Sequence, residues 1–249
     1  MESISLEQIE NPKTREFFYQ GLEYLQKKSI SNALERFEAA EDLLLKDLDL
    51  YFLSFVRLEK IKALKALKQY ELAQRIIPTL VEYFSLHKMF HPLVLVLIED
   101  GEIRSILQEH KQATEIFLQA LDLAKYHQLD NFKAYIYSTL AESFAQQKLY
   151  NEAIAHLKKY SQFHTENSYD QAWVNKRLAD LYWEILEYQG ALPHYLKAQD
   201  LFLQNKDYTH ATQCMESLLK IYQQTGEQRK SQDLQQKMIA INQLQILKN

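Results

Sequence analysis

The sequence contains few of the residues that form tight turns and phosphate-binding loops. Only four of its 249 residues are glycine and four are proline, and no two glycines are closer than 36 positions. Glycine-rich phosphate loops and the Gly-x-Ser-x-Gly nucleophile elbow need glycines a few residues apart, so both are excluded. A turn-rich all-β protein is also disfavoured. Hydrophobic residues make up 47% of the chain, which is enough for a large core, and a mostly helical protein remains.

Cysteine, excess basic charge and long apolar runs are equally scarce. The single cysteine, Cys214, cannot form an internal disulfide, which favours a reducing compartment. A net charge of −4 without a basic segment argues against a nucleic acid partner. The longest apolar run, residues 93–98, is far below the roughly 18 residues that span a bilayer, and the first five residues do not resemble a targeting sequence. We therefore expect a cytoplasmic protein that binds neither nucleic acid nor membranes.

A period of about forty residues runs through the chain. A small residue recurs with gaps of 40, 40, 40, 38 and 40 residues, at positions Ala33, Ala73, Ala113, Ala153, Ala191 and Ser231. Apolar residues recur at three- and four-residue spacing on both sides of short polar breaks, so each unit is predicted to be a hairpin of two helices. A second small residue, such as Gly21 or Gly101, lets the two helices approach closely. Because one hairpin cannot bury its apolar face alone, neighbouring hairpins must stack.

These motifs resemble the tetratricopeptide repeat (TPR). The clearest copies are Gly21-x2-Tyr24 with Ala33-x3-Phe37-x2-Ala40, and Ala179-x2-Tyr182 with Ala191-x3-Tyr195-x2-Ala198. The period exceeds the roughly 34 residues of the short form, and the family's terminal proline is missing. Longer units are similar to those of bacterial peptide-sensing regulators of the Rap and PlcR type and of the LGN and kinesin light chain adaptors. The resemblance implies an all-α fold: an α-solenoid, coiled as a right-handed superhelix, of about six helical hairpins. Armadillo and HEAT repeats are the structural alternative.

The repeats divide the chain into a lead-in segment, residues 1–13, and a single solenoid domain, residues 14–249, of six hairpins. The last hairpin is predicted to be a polar cap, because Gln235-Gln236-x-Met238 replaces the aromatic residue and the alanine of the other units and glutamine is abundant from Gln223 onward. Asn11-Pro12 is predicted to begin the first repeat helix, and Ser5 with Gln8 to cap a short lead-in helix.

Three further prolines give predictions about helix boundaries. His91-Pro92 is expected to supply an N-cap and a first-turn proline for the third unit. Pro193 is placed in the first turn of its helix, where proline is tolerated. Pro78 falls well inside a helix that should begin near Tyr70, so a kink or an early break is predicted there. The run from residue 93 to residue 98 is assigned to a buried helix rather than a strand.

Two side-chain pairs are candidates for a chemical site. His87 and His91 have the spacing of metal ligands on a helix, but no third ligand is evident, and solvent-facing turn histidines are the favoured interpretation. His210 lies four residues before Cys214 and could form a thiolate pair with it, although a small buried apolar residue explains this cysteine better. We therefore predict no enzyme, no metal site and no cofactor.

The TPR resemblance implies that ligands bind a concave groove lined by the first helix of each unit. In this register, the candidate groove residues are Glu102, Tyr135, Glu142, Trp173, Lys176, Asp180, Trp183 and Glu184. The equivalent third-unit positions Leu95, Ile98 and Ile106 would make one end of the groove apolar. The structural alternative is that both tryptophans pack between repeats and that Lys176 and Asp180 only pair with each other.

The predicted function is a non-enzymatic scaffold that binds a peptide or partner helix with basic and apolar side chains, which suit a mixture of aromatic rings and carboxylates. The alternative is an intracellular sensor of a small signalling peptide that sequesters a partner protein. An enzyme hidden in a helical scaffold is a further class, and a homodimer is expected if the apolar run at residues 93–98 forms an exposed edge.

Overall fold

Residues 9–165 and 168–246 are described by the structure, a computed structural model. This part of the chain forms twelve α-helices and no strand. In chain order the helices are α1 (Pro12–Gln26), α2 (Ile30–Asp47), α3 (Leu50–Ala66), α4 (Tyr70–Leu86), α5 (Phe90–Ile106), α6 (His110–Tyr126), α7 (Asp130–Gln146), α8 (Tyr150–Ser161), α9 (Tyr169–Glu184), α10 (Tyr188–Gln204), α11 (Tyr208–Gln224) and α12 (Gln228–Ile246). The predicted all-α solenoid of helical hairpins is confirmed.

A common turn conformation separates most successive helices. After α3, Lys68 adopts a left-handed conformation with φ of 60°. The N–H of Lys68 donates to the carbonyl of Lys65 at 3.0 Å, and the N–H of Gln69 donates to that of Leu64 at 2.9 Å. These bonds satisfy carbonyls that the helix end leaves without partners. The same positive φ recurs at Lys28, Leu48, Lys68, Lys88, Gln108, Gln128, Lys148, Leu186, Lys206 and Gly226. Helices of 17 residues, as in α3 to α7, joined by three-residue turns therefore produce the forty-residue period.

The one shorter gap in the period has a local origin. α8 contains only 12 residues, and a longer connection leads from its end at Ser161 to the start of α9 at Tyr169. Helices α8, α9 and α10 consequently begin at residues 150, 169 and 188, two steps of 19 residues instead of 20. This accounts for the 38 residues between Ala153 and Ala191.

The helices form two compact units, which meet in sequence at Phe132 and Lys133. The first unit contains α1 to α6, and the second contains nearly all of α7 and the helices that follow. Second helices of hairpins bury one narrow stripe, which in α2 consists of Ala33, Phe37, Ala40 and Leu44. In contrast, α5 buries ten of its seventeen residues, because it is a first helix that packs against both α4 and α6.

Close approach of the two helices in a hairpin depends on glycine in two units. A Cβ atom on Gly21 would lie 2.5 Å from Cε1 of Phe37, and one on Gly101 would lie 2.5 Å from Cε1 of Phe117. Both phenylalanines are fully buried. The aromatic ring of the second helix therefore occupies the space that a side chain on the first helix would need, as the repeat pattern predicts.

The predicted start of the first repeat helix is confirmed. Asn11 caps α1, and its side-chain oxygen accepts the N–H of Lys13 at 3.1 Å, while Pro12 occupies the first helical position. Ile9, just before this cap, is buried in the core of α1, α2 and α3. The capping pair predicted at Ser5 and Gln8 lies outside the described residues.

The other proline predictions are correct only in part. Pro92 lies in the first turn of its helix and α4 begins at Tyr70, both as predicted, whereas the predicted N-cap at His91, an early break at Pro78 and a first-turn position for Pro193 are wrong. α5 begins at Phe90 with Met89 at its N-cap, so His91 is helical and Pro92 is the third helical residue. Proline is tolerated there because the first N–H groups of a helix have no intrahelical acceptor. α4 runs without a break past Pro78, and Pro193 lies in the second turn of α10. Both rings are exposed, so water can replace the bonds that these prolines remove.

The apolar run is buried within the first unit. Leu93, Val94, Val96, Leu97 and Ile98 are all at most 6% exposed in α5. The run therefore forms no exposed edge in this unit, so the condition under which a homodimer was expected is not met. Ile98 is buried, and its predicted place at an apolar end of the groove is wrong.

The last hairpin has a polar outer face. Its second helix, α12, buries Ser231, Leu234 and Ile241 along one stripe, while Gln235 and Gln236 face solvent. No helix among the described residues has the length and hydropathy that crossing a membrane requires.

Candidate functional site

One predicted groove residue, Glu102, lies in the first unit, and the other seven lie in the second. Glu102 and its neighbour Glu99 on α5 both accept a hydrogen bond from Lys65 on α3, at 2.5 Å in the case of Glu99. Burial raises the pKa of Glu99 above its usual value, and the charge of Lys65 opposes that increase. The carboxylate of Glu102 is therefore already engaged by a lysine from the neighbouring first helix.

In the second unit, an ion pair joins the first helices of two consecutive hairpins. Nη2 of Arg177 on α9 donates to Oε2 of Glu142 on α7 at 2.7 Å. Glu142 was predicted as a groove residue, whereas Arg177 was missed. The sequence does contain a signal for the pair, because opposite charges 35 positions apart, close to one repeat length, fall on adjacent first helices.

Tyr135 on α7 and Trp173 on α9 are exposed aromatic residues of these first helices. Each lies six residues before the small residue of its helix, Ala141 or Ala179, so the two occupy equivalent repeat positions. Tyr135 is 47% exposed and Trp173 is 40% exposed. Tyr135 lies seven residues before Glu142, which places both on one side of α7.

Trp173 is held by contacts on one side while it is exposed on the other. Its ring packs edge-on against Phe202 at 5.3 Å between centroids and against His210 at 4.4 Å. His210 is in turn fixed by Asp207, whose carboxylate lies 2.7 Å from its Nδ1 and accepts the hydroxyl of Tyr169 at 2.6 Å. These contacts present the indole in one orientation, which reduces the entropy lost when a ligand binds.

Lys176 and Asp180 belong to an internal network. Nζ of Lys176 donates to Asp180 at 3.1 Å, as the structural alternative predicted, and the hydroxyl of Tyr195 donates to the same carboxylate at 2.7 Å. Burial, assisted by the charge of Asp180, strongly raises the pKa of Tyr195, so its hydroxyl stays protonated. Asp180 thus joins α9 to α10 within one hairpin. Of this pair, only the ammonium group of Lys176 has further N–H donors that a ligand could accept.

The last two predicted residues lie near helix ends. Trp183 is half-buried and packs on Tyr188 at 5.0 Å across the turn between α9 and α10. Glu184 accepts a hydrogen bond from the hydroxyl of Tyr150 on α8 at 3.3 Å. Trp183 therefore contributes to the packing of its own hairpin.

Neither candidate pair, Cys214 with His210 or His87 with His91, has the contacts of a chemical site. Cys214 is fully buried among α9 to α12, and burial raises the pKa of its thiol to about 12. His210 directs its Nδ1 towards Asp207. His87 is the C-cap of α4, with its Nδ1 2.8 Å from the carbonyl oxygen of Tyr83, and His91 packs against Phe132. No group of three potential metal ligands occurs among the described residues.

No protein-family model matches the sequence, and no curated protein matches it. Solved structures do. The nearly identical TPR-like repeats of a kinesin light chain from Podosopora anserina superpose with a TM-score of 0.67 at 15% identity, covering 79% of this chain and 99% of that one. The apo form of RapI gives a TM-score of 0.62 at 17% identity, covering 98% and 88%. A Rap protein complexed with competence and sporulation factor gives 0.57 at 12% identity, covering 95% and 76%. The chain has a TPR-like fold.

Proposed function

We propose that the protein is a non-enzymatic scaffold that binds a peptide or partner helix on the first-helix surface formed by α7 and α9. The observation that carries this proposal is the exposure of Tyr135 and Trp173 at equivalent repeat positions, 47% and 40%. Aromatic side chains offer large, rigid contact areas and are enriched among residues that dominate binding. Their equivalent positions suit a ligand that runs across consecutive first helices.

The charges of this surface support a ligand with both apolar and basic side chains. The Glu142 side chain is 52% exposed although it pairs with Arg177, so an incoming cation can share its carboxylate. A basic side chain placed over an indole or phenol ring gains about 0.5–2 kcal/mol. Because these charges are exposed to solvent, they determine where along the surface a peptide binds more than how tightly it binds.

A displayed library of random peptides tests the proposal. Enriched peptides should combine apolar and basic residues, and Tyr135→Ala should weaken their binding about tenfold, an effect typical of a residue that dominates an interface. The matched control is Leu196→Ala, which removes a 38% exposed apolar side chain from the second helix α10. Equal losses for Tyr135→Ala and Leu196→Ala, or no enrichment of peptides at all, would contradict the proposal.

The alternative function, a sensor of a small signalling peptide, is supported by the fold similarity to RapI and to the Rap complex. Small-angle scattering distinguishes the two functions once a binding peptide is known. A scaffold should keep its radius of gyration on binding, whereas a sensor should become more compact.

A further inference from the structure

A basic pocket lies among α8, α9 and α10, and the proposed peptide surface does not use it. The cavity has a volume of about 320 Å³. Its lining consists of Lys158, Ser161, Gln171, Asn175, Leu178, Pro193, His194 and Lys197. Three of these described residues are basic and none is acidic. The volume is at the lower end of the range for ligand pockets, about 300–1,000 Å³, and fits a small anionic group.

The floor of the pocket is built from buried polar side chains with fixed orientations. Gln171 and Asn175 are both 5% exposed. Nε2 of Gln171 donates to the carbonyl and the hydroxyl oxygen of Ser161 at 3.1 and 3.0 Å. Asn175 donates to the carbonyl of Gln171 at 2.8 Å, and its side-chain oxygen lies 2.9 Å from Nδ1 of His194.

An aromatic stack holds His194 and Lys158 beside this floor. The imidazole of His194 stacks on Tyr182 at 5.7 Å with an interplanar angle of 11°. Nζ of Lys158 donates to the Tyr182 hydroxyl at 2.7 Å and lies 5.3 Å from the centre of the ring. Gly190 makes room for this ring, because a Cβ atom there would lie 2.7 Å from its Cδ1.

Two positive charges of the pocket are not neutralised within the described part of the chain. No ion pair with a described acid is formed by Lys158 or Lys197. Burial lowers the pKa of His194, and the charges of both lysines lower it further, so the imidazole is neutral at pH 7. The pocket therefore carries a charge of about +2, which a dianion balances better than a carboxylate does.

We propose that the pocket between α8, α9 and α10 binds a phosphate group, with Lys158 and Lys197 as its cationic contacts. The group belongs either to a phosphorylated side chain of a partner or to a small phosphorylated metabolite. Both present the same dianionic oxygens. Lysine is a common phosphate ligand, and buried amides that are already oriented lower the cost of organising the site.

Calorimetric titration with inorganic phosphate at constant ionic strength tests the site. Saturable binding with one phosphate per chain is expected, and Lys158→Gln or Lys197→Gln should each weaken it about fivefold or more. Lys159→Gln is the matched control, since Lys159 is an exposed lysine of α8 outside the pocket lining. All three residues are exposed, so the variants should keep the circular dichroism spectrum and melting temperature of the parent protein.

Two further titrations distinguish the sources of the phosphate. Tighter binding of a phosphoserine peptide than of inorganic phosphate, without binding of its unphosphorylated form, supports a phosphorylated partner. Equal affinities for phosphate and for a small sugar phosphate support a metabolite. The proposal is overturned if none of these ligands saturates, or if Lys159→Gln weakens binding as much as the two pocket variants.

Discussion

Gly101 and Phe117 are packed so closely that a single added carbon atom would overlap the ring. A Cβ atom on Gly101 would lie 2.5 Å from Cε1 of Phe117 and 2.8 Å from its Cδ1 and Cζ. The equivalent pair of the fourth unit is Ala141 with Leu157, both buried. A larger residue on the first helix is therefore matched by a smaller one on the second, sixteen residues later.

We predict that Gly101→Ala destabilises the protein, although alanine is the better helix former. The rigid, buried ring of Phe117 cannot move aside, and overpacking of this kind costs about 1–3 kcal/mol. Adding Phe117→Leu recreates the Ala141 and Leu157 combination and should recover part of the loss. Urea unfolding of both single variants and the double variant measures the coupling. Strict additivity of the two changes would contradict the proposed contact.

A second prediction concerns the left-handed turn residues. Leu48 has φ of 54° and is 80% exposed, so replacing it with glycine relieves backbone strain without removing buried surface. We expect Leu48→Gly to stabilise the protein by about 0.5–1 kcal/mol after the extra entropy of the unfolded chain is included. Gly226→Ala is the reciprocal control and should destabilise, because Gly226 has φ of 75°. Thermal unfolding measures both, and a destabilised Leu48→Gly protein would rule out the strain argument.

A third prediction uses the pH dependence of Glu99. Its pKa is raised by burial, while the neighbouring charge of Lys65 lowers it, so Lys65→Met should raise the pKa further and destabilise the protein by about 1–3 kcal/mol at pH 8. A carboxyl group with a raised pKa binds more protons when folded, so its unfavourable effect grows as pH rises from its usual value through the folded pKa. The loss should therefore be smaller at pH 5 than at pH 8.

The control for the Lys65 experiment is Lys27→Met. Lys27 pairs with Glu23 on the surface of α1, where both side chains are about 60% exposed. Because both side chains are largely solvated, its removal should leave stability nearly unchanged at both pH values. Chemical denaturation at each pH gives the comparison, and a Lys65→Met penalty that is independent of pH would refute the role assigned to Glu99.

A fourth prediction concerns the single thiol. Cys214 is fully buried and its pKa is raised to about 12 by burial, so the thiol should stay protonated and inaccessible. Ellman's reagent should not react within minutes at pH 8 in the folded protein and should react fully in guanidinium chloride. Rapid reaction under native conditions would show that α11 does not bury this residue.

The sequence predicts the helical hairpins because the period depends on local chemistry. Small residues and aromatic rings recur at fixed spacing, and both kinds of residue act within one hairpin, as Gly101 and Phe117 do. The predictions of an N-cap at His91 and of a first-turn position for Pro193 are wrong, because they treat each proline in isolation. Helix boundaries instead follow the twenty-residue spacing of the left-handed turns. Lysine, leucine, glutamine and glycine all occupy these turn positions, so no single residue type predicts them.

The candidate site was less predictable, because it depends on contacts between helices. Helical spacing predicts that Tyr135 and Trp173 lie on first helices, and in the structure both rings are partly exposed there. It could not reveal that Tyr195 engages Asp180 or that Arg177 reaches Glu142, since both pairings depend on how neighbouring helices pack. The basic pocket was missed for the same reason: Lys158 and Lys197 belong to different hairpins and share no motif.

Photo-cross-linking tests the proposed peptide surface most directly. A benzophenone amino acid is placed at position 135, on α7, or at position 196, on α10, and each protein is irradiated with a library-selected peptide. We predict efficient cross-linking from position 135 and little from position 196. Efficient cross-linking from position 196 and none from position 135 would contradict the assignment of ligand binding to the first-helix surface.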